Sequence, residues 1–302
     1  MPSIDARLFL ERLRSGERPL LVDVLFEGQY ARRHLPGALS ACVYNVTFLD
    51  QMSGLAPDRA SPLVVYGAGE PDRSAHVAEE KLRNAGWKSV WRLEGGLAAW
   101  EAAGGPLEGE DTEAAVDLER LFRPEQRRYE LLTGESVIGW EGRNRVGSHQ
   151  GLLAFASGDL DFSGAEVAGG FRLDMRSIED KDLADEELRR ILVAHLLSED
   201  FFDARNHPFA QLRIDRVEPT DAEPGRPSHR LSGMLEMRGM SQSFHCEATL
   251  ANLEEGRIVL ETHFDLDRTR WGVNYGSGTF FRFLGYHLVY DFVSVRVRAV
   301  LA

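Results

Sequence analysis

The spacing of apolar residues changes near residue 105, and this constrains the fold more than any other property of the chain. Before that point, unbroken apolar runs alternate with helical patterns. Leu20-Leu21-Val22-Asp23-Val24, Pro62-Leu63-Val64-Val65-Tyr66 and Ser89-Val90-Trp91-Arg92-Leu93 have the continuous character of strands buried on both faces. Around them, Ser3 is placed to cap a helix carrying Ile4, Leu8, Phe9 and Leu13, and Arg73 to Ala85 reads as a helix ended by Gly86. Strands interleaved with helices predict an α/β domain.

After that point the pattern is almost entirely two-residue alternation. Gly104-Gly105-Pro106 breaks the last helix, and Glu108, Glu110, Asp111 and Glu113 make an acidic linker, with a short connecting helix expected over 114–128. Beyond it, Phe171, Leu173 and Met175 oppose Arg172, Asp174 and Arg176, while Leu231, Gly233, Leu235 and Met237 oppose Arg230, Ser232 and Glu236. Thr262, Phe264 and Leu266 oppose His263 and Asp265, and Val293, Val295 and Val297 oppose Ser294, Arg296 and Arg298. Each run has one wet face, so about eight to ten antiparallel strands forming a sandwich or an up-and-down barrel are expected, interrupted by one helix over Ala184 to Leu197. The expected division is 1–108, a linker over 109–128, and 129–302.

Charge narrows the partners. With 35 basic and 48 acidic residues the chain carries a net charge of -13, most of it beyond residue 110. Nucleic acid and anionic membrane surfaces need the opposite balance. The two cysteines, Cys42 and Cys246, are far apart, so neither a disulfide framework nor a cysteine zinc motif is expected. The N-terminal residues are too charged for an export signal, and the apolar stretch from Tyr275 to Val300 is interrupted by Arg282, His287, Asp291, Arg296 and Arg298. A cytoplasmic protein without a transmembrane segment is the expectation.

The order Leu21-Val22-Asp23-Val24, His34-Leu35-Pro36-Gly37-Ala38, Val64-Val65-Tyr66, Arg73-Ser74-Ala75 and Leu93-Glu94-Gly95-Gly96-Leu97-Ala98-Ala99-Trp100 resembles the rhodanese family over about residues 3 to 105. That resemblance implies a parallel sheet and a sulfur-carrying cysteine directly after the Val-Tyr strand. Here the position is Gly67, and the loop Gly67-Ala68-Gly69-Glu70-Pro71-Asp72-Arg73 has no thiolate. Glu70 and Asp72 would repel anionic substrates, Arg73 lies six positions after Gly67, and Leu25 stands where the family often carries arginine. The expectation is a degenerate, catalytically inactive module serving interaction with a protein partner or regulation. The alternative is a sulfurtransferase or phosphate-handling enzyme using Cys42 or the Gly67–Arg73 loop.

Val137-Ile138-Gly139-Trp140-Glu141-Gly142, Gly147-Ser148-His149-Gln150-Gly151, His195-Leu196-Leu197-Ser198-Glu199-Asp200-Phe201-Phe202-Asp203 with His207-Pro208, and Asp267-Arg268-Thr269-Arg270-Trp271-Gly272-Val273 resemble the YceI-like family over about residues 129 to 302. The resemblance implies a lipocalin-like antiparallel barrel whose interior holds a long isoprenoid chain; the expected ligand is an isoprenoid or quinone-like lipid, with no other cofactor. The inward set mixes Gly169, Gly233, Cys246, Ala248 and Thr262 with bulky residues, which suits either a cavity or a filled core. Wall or mouth positions expected to touch a lipid are Trp140, Phe171, Leu173, Phe201 and Phe202, together with Leu235, Phe244, Phe264, Trp271 and Phe283. The histidines lack HxH or HxxxH spacing, so no metal site is expected, and the acidic run Asp180, Asp182, Asp185, Glu186 and Glu187 reads as a solvated helix start. A scaffold that binds only proteins is a third reading.

Overall fold

The computed structural model describes residues 3–110, 122–221 and 225–302, which divide into two compact units. The first unit is built on β1 (Ser3–Ile4), β2 (Leu20–Asp23), β3 (Leu39–Ser40), β4 (Leu63–Tyr66) and β5 (Val90–Leu93). These strands form one parallel sheet in the order β1-β5-β4-β2-β3. Five helices surround it: α1 (Ala6–Arg14), α2 (Glu27–Arg32), α3 (Phe48–Leu55), α4 (Ser74–Asn84) and α5 (Gly96–Ala102). The continuous apolar runs have the meaning expected of them, because successive residues enter opposite cores. Leu21, Val64 and Tyr66 pack with Phe9 and Trp100 of α1 and α5, whereas Val22 and Val65 pack with Met52 and Leu82 of α3 and α4.

One start signal differs. Ser3 is not a helix cap; it pairs with Arg92 in β1, and Asp5 caps α1 by accepting from the N–H groups of Arg7 and Leu8 at 2.9 and 3.1 Å. Pairing with β5 draws Ser3 and Ile4 into the sheet, and a carboxylate two residues later satisfies the orphan donors equally well.

The second unit is a closed antiparallel barrel. Its strands are β6 (Arg128–Glu130), β7 (Val137–Arg143), β8 (Ser148–Asp161), β9 (Ala168–Asp180), β10 (Phe209–Pro219), β11 (His229–Met237), β12 (Met240–Asn252), β13 (Ile258–Asp267) and β14 (Phe292–Leu301). Eight of them run β8-β7-β14-β13-β12-β11-β10-β9, and β9 pairs back onto β8 to close the ring, while β6 adds alongside β8. Closure leaves one face of every strand inside. The inserted helix α6 (Glu186–Leu197) follows β9, and Asp185 caps it through the N–H groups of Glu187 and Leu188.

Of the connecting helix expected over 114–128, residues 114–121 lie outside the described residues, and 122–128 form none. Pro124 interrupts that stretch, Phe122 packs on the barrel core, and the Glu125 N–H donates to the Tyr129 hydroxyl at 2.8 Å. Among the described residues no helix is long and apolar enough to cross a membrane.

Candidate functional site

In the first unit the loop from Gly67 to Arg73 leads from β4 into α4 and borders a polar crevice of about 540 Å³. The Gly95-Gly96 pair lets the turn into α5 come close to it. A Cβ on Gly96 would meet the carbonyl oxygen of Gly67 and the Gly69 nitrogen at under 3.0 Å, and the N–H groups of Leu97 and Ala98 donate to the carbonyls of Gly67 and Ala68 at 2.9 and 3.1 Å.

The loop's own donors turn on an anion supplied by the chain. Asp72 Oδ2 accepts the Ala68 N–H at 3.0 Å and a short hydrogen bond from the Ser74 hydroxyl, while Oδ1 accepts the Ser74 N–H at 3.0 Å. A Cβ at position 67 would fall under 3.0 Å from both Asp72 Oδ2 and Ser74 Oγ. The space in which a side chain at 67 would begin is therefore filled by a carboxylate and a hydroxyl. Gly67, Gly69, Glu70, Pro71, Asp72 and Arg73 line the crevice, joined by His76 and Arg92. Cys42 is buried and does not line it.

Beneath this loop Asp23 is fully buried at the end of β2. Burial pushes its carboxyl up to about 6, although the Leu25 N–H donates to Oδ1 at 2.9 Å and favours the charged form. The Tyr66 hydroxyl accepts the Leu35 N–H at 3.0 Å, and burial together with the neighbouring Asp23 raises its pKa.

In the second unit the barrel encloses an apolar cavity of about 420 Å³. Strand register builds its wall. Trp140 on β7 faces Val295 on β14, which in turn faces Phe264 on β13, and Leu173 on β9 lies between Phe155 and Ala210. Of the sequence-derived wall positions, Trp140, Phe171, Leu173 and Leu235 line the cavity, as do Phe201, Phe202, Phe244 and Phe264. The small inward residues Cys246 and Thr262 also line it, which leaves room that larger side chains would close. Burial pushes the Cys246 thiol up to about 11.

Trp271 and Phe283 stand elsewhere. Trp271 is completely buried and donates its indole N–H to the Leu235 carbonyl at 2.8 Å. Phe283 is fully exposed, in left-handed backbone conformation, near exposed Phe280, Phe281 and Tyr286.

Several lining residues escape a strand-periodicity argument. Helix α6 contributes Leu192 and Leu196, whose i, i+4 spacing is the signal that marks an inward helix face. His195 meets Phe201 and Tyr275 edge-on, with ring centroids 4.9 and 4.6 Å away. Arg268 is buried beside the cavity and donates to the carbonyls of Tyr290, Tyr275 and Val289 at 3.1, 2.9 and 3.2 Å, and to that of Val273 through a short bond. One guanidinium thereby holds both ends of the segment from Val273 to Tyr290. Its charge faces these main-chain dipoles and the Asp291 carboxylate 3.8 Å away, and burial lowers its pKa.

The acidic run before α6 departs from expectation. Asp185 is the cap, but Asp180 is buried rather than solvated, because its Oδ1 is drawn in to accept the Leu183 N–H at 2.9 Å.

A closed β-barrel around one apolar cavity, in a chain that also carries a parallel α/β module, defines the class: a barrel of the small-ligand-binding type fused to a second domain. The YceI-like domain model matches residues 129–301 and the rhodanese-like domain model matches residues 5–103. The chain belongs to the YceI-like family and carries a rhodanese-like domain ahead of its barrel.

Among solved structures, the chain is similar to BcnA of Burkholderia cenocepacia, with 18% identity over 56% of this chain and 98% of that one, at a TM-score of 0.45. It is also similar to a polyisoprenoid binding domain from Saccharophagus degradans, with 12% identity over 57% and 97% of the two chains and a TM-score of 0.43. Its first domain is similar to the Alr3790 protein from Anabaena sp., with 36% identity over 35% of this chain and 91% of that one, at a TM-score of 0.32. No curated protein matches the chain.

Proposed function

We propose that the barrel binds one extended apolar lipid, of the isoprenoid or quinone type, and that the rhodanese-like domain acts without sulfur transfer as an interaction or regulatory module. The observation that carries the lipid reading is the cavity of about 420 Å³ walled by Trp140, Phe171, Leu173, Phe244 and Phe264. That volume lies within the range of about 300–1,000 Å³ that small-molecule sites occupy. An apolar chain entering it gains about 0.8 kcal/mol for each CH₂ removed from water, enough over several isoprene units to offset the entropy of holding the ligand. A greasy chain needs few polar contacts, which suits a wall where Arg268 already spends its donors on the backbone. Membership of the YceI-like family supports the same reading.

Native mass spectrometry of the purified full-length chain, with organic extraction and identification of what is released, tests it. A bound lipid that Cys246→Phe excludes by narrowing the cavity is the expected result. Protein that is lipid-free and fails to take up added isoprenoid alcohols or quinones would refute the proposal.

For the first domain, the position of Asp72 against Gly67 supports the absence of sulfur transfer. Thiosulfate-to-cyanide transfer at the buffer rate is expected from the wild type. Activity abolished by Cys42→Ser would overturn this.

A further inference from the structure

Apart from the groups described above, three potential ligand atoms converge in the second unit. His149 stands on β8, Asp180 ends β9, and Asp182 lies in the turn that follows. His149 Nδ1 and one oxygen from each carboxylate all lie within 4.8 Å of one another. Nδ1 is 3.3 Å from Asp182 Oδ2 and 4.0 Å from Asp180 Oδ2.

Each carboxylate is held by its other oxygen. Asp180 Oδ1 accepts the Leu183 N–H at 2.9 Å, and Asp182 Oδ1 accepts the Gln150 N–H at 3.0 Å. Both Oδ2 atoms are thereby left turned toward the imidazole. The Asp180 side chain is 0% exposed, and its Oδ2 has no hydrogen-bond partner among the described residues. A buried carboxylate oxygen with no donor is costly, and in native structures such an atom calls for an unseen partner. Among the described residues no lysine or arginine pairs with Asp180 or Asp182, so two carboxylates face one histidine.

We propose that His149, Asp180 and Asp182 form a binding site for a divalent cation of the Zn²⁺ type. One imidazole nitrogen with two carboxylate oxygens suits a borderline first-row metal, whereas Mg²⁺ and Ca²⁺ take shells of oxygen. Ligands about 2.0 Å from a tetrahedral metal stand roughly 3.3 Å apart, which matches the His149–Asp182 separation. The longer distance to Asp180 closes with a small swing of the imidazole, which is 40% exposed. Three protein ligands leave a fourth position for water, as in an open zinc site. His149 also lines the barrel cavity, so the cation would sit one side chain away from its contents. The proposal does not depend on the lipid reading.

Calorimetric titration of chelator-treated, dialysed full-length protein with Zn²⁺ tests it, using wild type, His149→Gln, Asp182→Asn and Asp180→Asn, with circular dichroism as the check on folding. One saturable site of micromolar or tighter Kd is expected, weakened at least tenfold in each variant and not displaced by equimolar Mg²⁺. His149 and Asp182 are partly exposed, so their variants report on ligation even if Asp180→Asn fails to fold. Absence of a saturable Zn²⁺ site overturns the proposal, as does an affinity unchanged in His149→Gln and Asp182→Asn, or equal competition by Mg²⁺.

Discussion

Asp72 and the α-face of Gly67 occupy the same space: Oδ2 of Asp72, fixed by the Ala68 N–H at 3.0 Å, lies where a Cβ on residue 67 would have to go. The donors of this loop are satisfied by a carboxylate of the chain itself. Gly67 and Asp72 therefore belong together, and a cysteine placed at 67 would meet both Asp72 and the Ser74 hydroxyl.

This coupling is measurable. Gly67→Ala is expected to destabilise the first domain by roughly 1–3 kcal/mol through overpacking against Asp72 and Ser74, and by less in an Asp72→Ala background, where the Ser74 hydroxyl also loses the bond that holds it there. Denaturant unfolding of the four members of the double-mutant cycle gives the interaction free energy. Additive effects would show that Asp72 does not fill the position.

Asp23 predicts a pH dependence of stability. The folded state keeps its proton up to about pH 6, whereas the unfolded chain releases it near 3.8. Folding then takes up a proton between those values, so the contribution from protonated Asp23 is fully present below pH 4 and is lost as pH rises through about 6. Across that window the difference is on the order of 3 kcal/mol. Asp23→Asn should remove this part of the pH dependence, making the variant more stable than wild type at pH 7.5 relative to the comparison at pH 4. Equal slopes in the two proteins, from denaturation across this range, would refute it.

Arg268 should control order at one end of the barrel. Arg268→Met leaves the carbonyls of Val273, Tyr275, Val289 and Tyr290 without this donor, and the expected loss is about 2–5 kcal/mol. Hydrogen exchange should quicken first between residues 273 and 290 while strands β8 to β13 stay protected. Uniform quickening throughout the barrel would contradict a local role.

Cys246 offers a probe of the cavity. With its thiol pushed up to about 11 from 9.0, the thiolate fraction at pH 8 is roughly a hundredfold lower than for an unperturbed cysteine. Alkylation should be slowed by the lower thiolate fraction and slower again with lipid in place, since the side chain lines the wall. Mass-spectrometric labelling kinetics before and after lipid extraction provide the check, and identical rates would argue against a ligand in contact with Cys246.

Much of this architecture is written in local pattern. Runs such as Leu63-Val64-Val65-Tyr66 specify strands buried on both faces, and the alternation through Phe171, Leu173 and Met175 specifies one dry face of a strand, because side-chain direction follows backbone period alone. The glycine at position 67, where the rhodanese resemblance implies a cysteine, is equally visible in the sequence. Periodicity says which face a residue occupies, but not which neighbour stands across from it or at what height. Strand register decided that Phe264 meets Val295 and that Cys246 meets Leu231, and thus that small residues leave a cavity instead of a filled core. A local side-chain rotamer brought Asp72 onto the loop donors, whereas tertiary contacts aimed Arg268 at the carbonyls of Val289 and Tyr290 and gathered His149, at the start of β8, with Asp180 and Asp182 at the end of β9. These groups lie far apart in the chain or depend on a single side-chain rotamer, and no one-dimensional spacing encodes either.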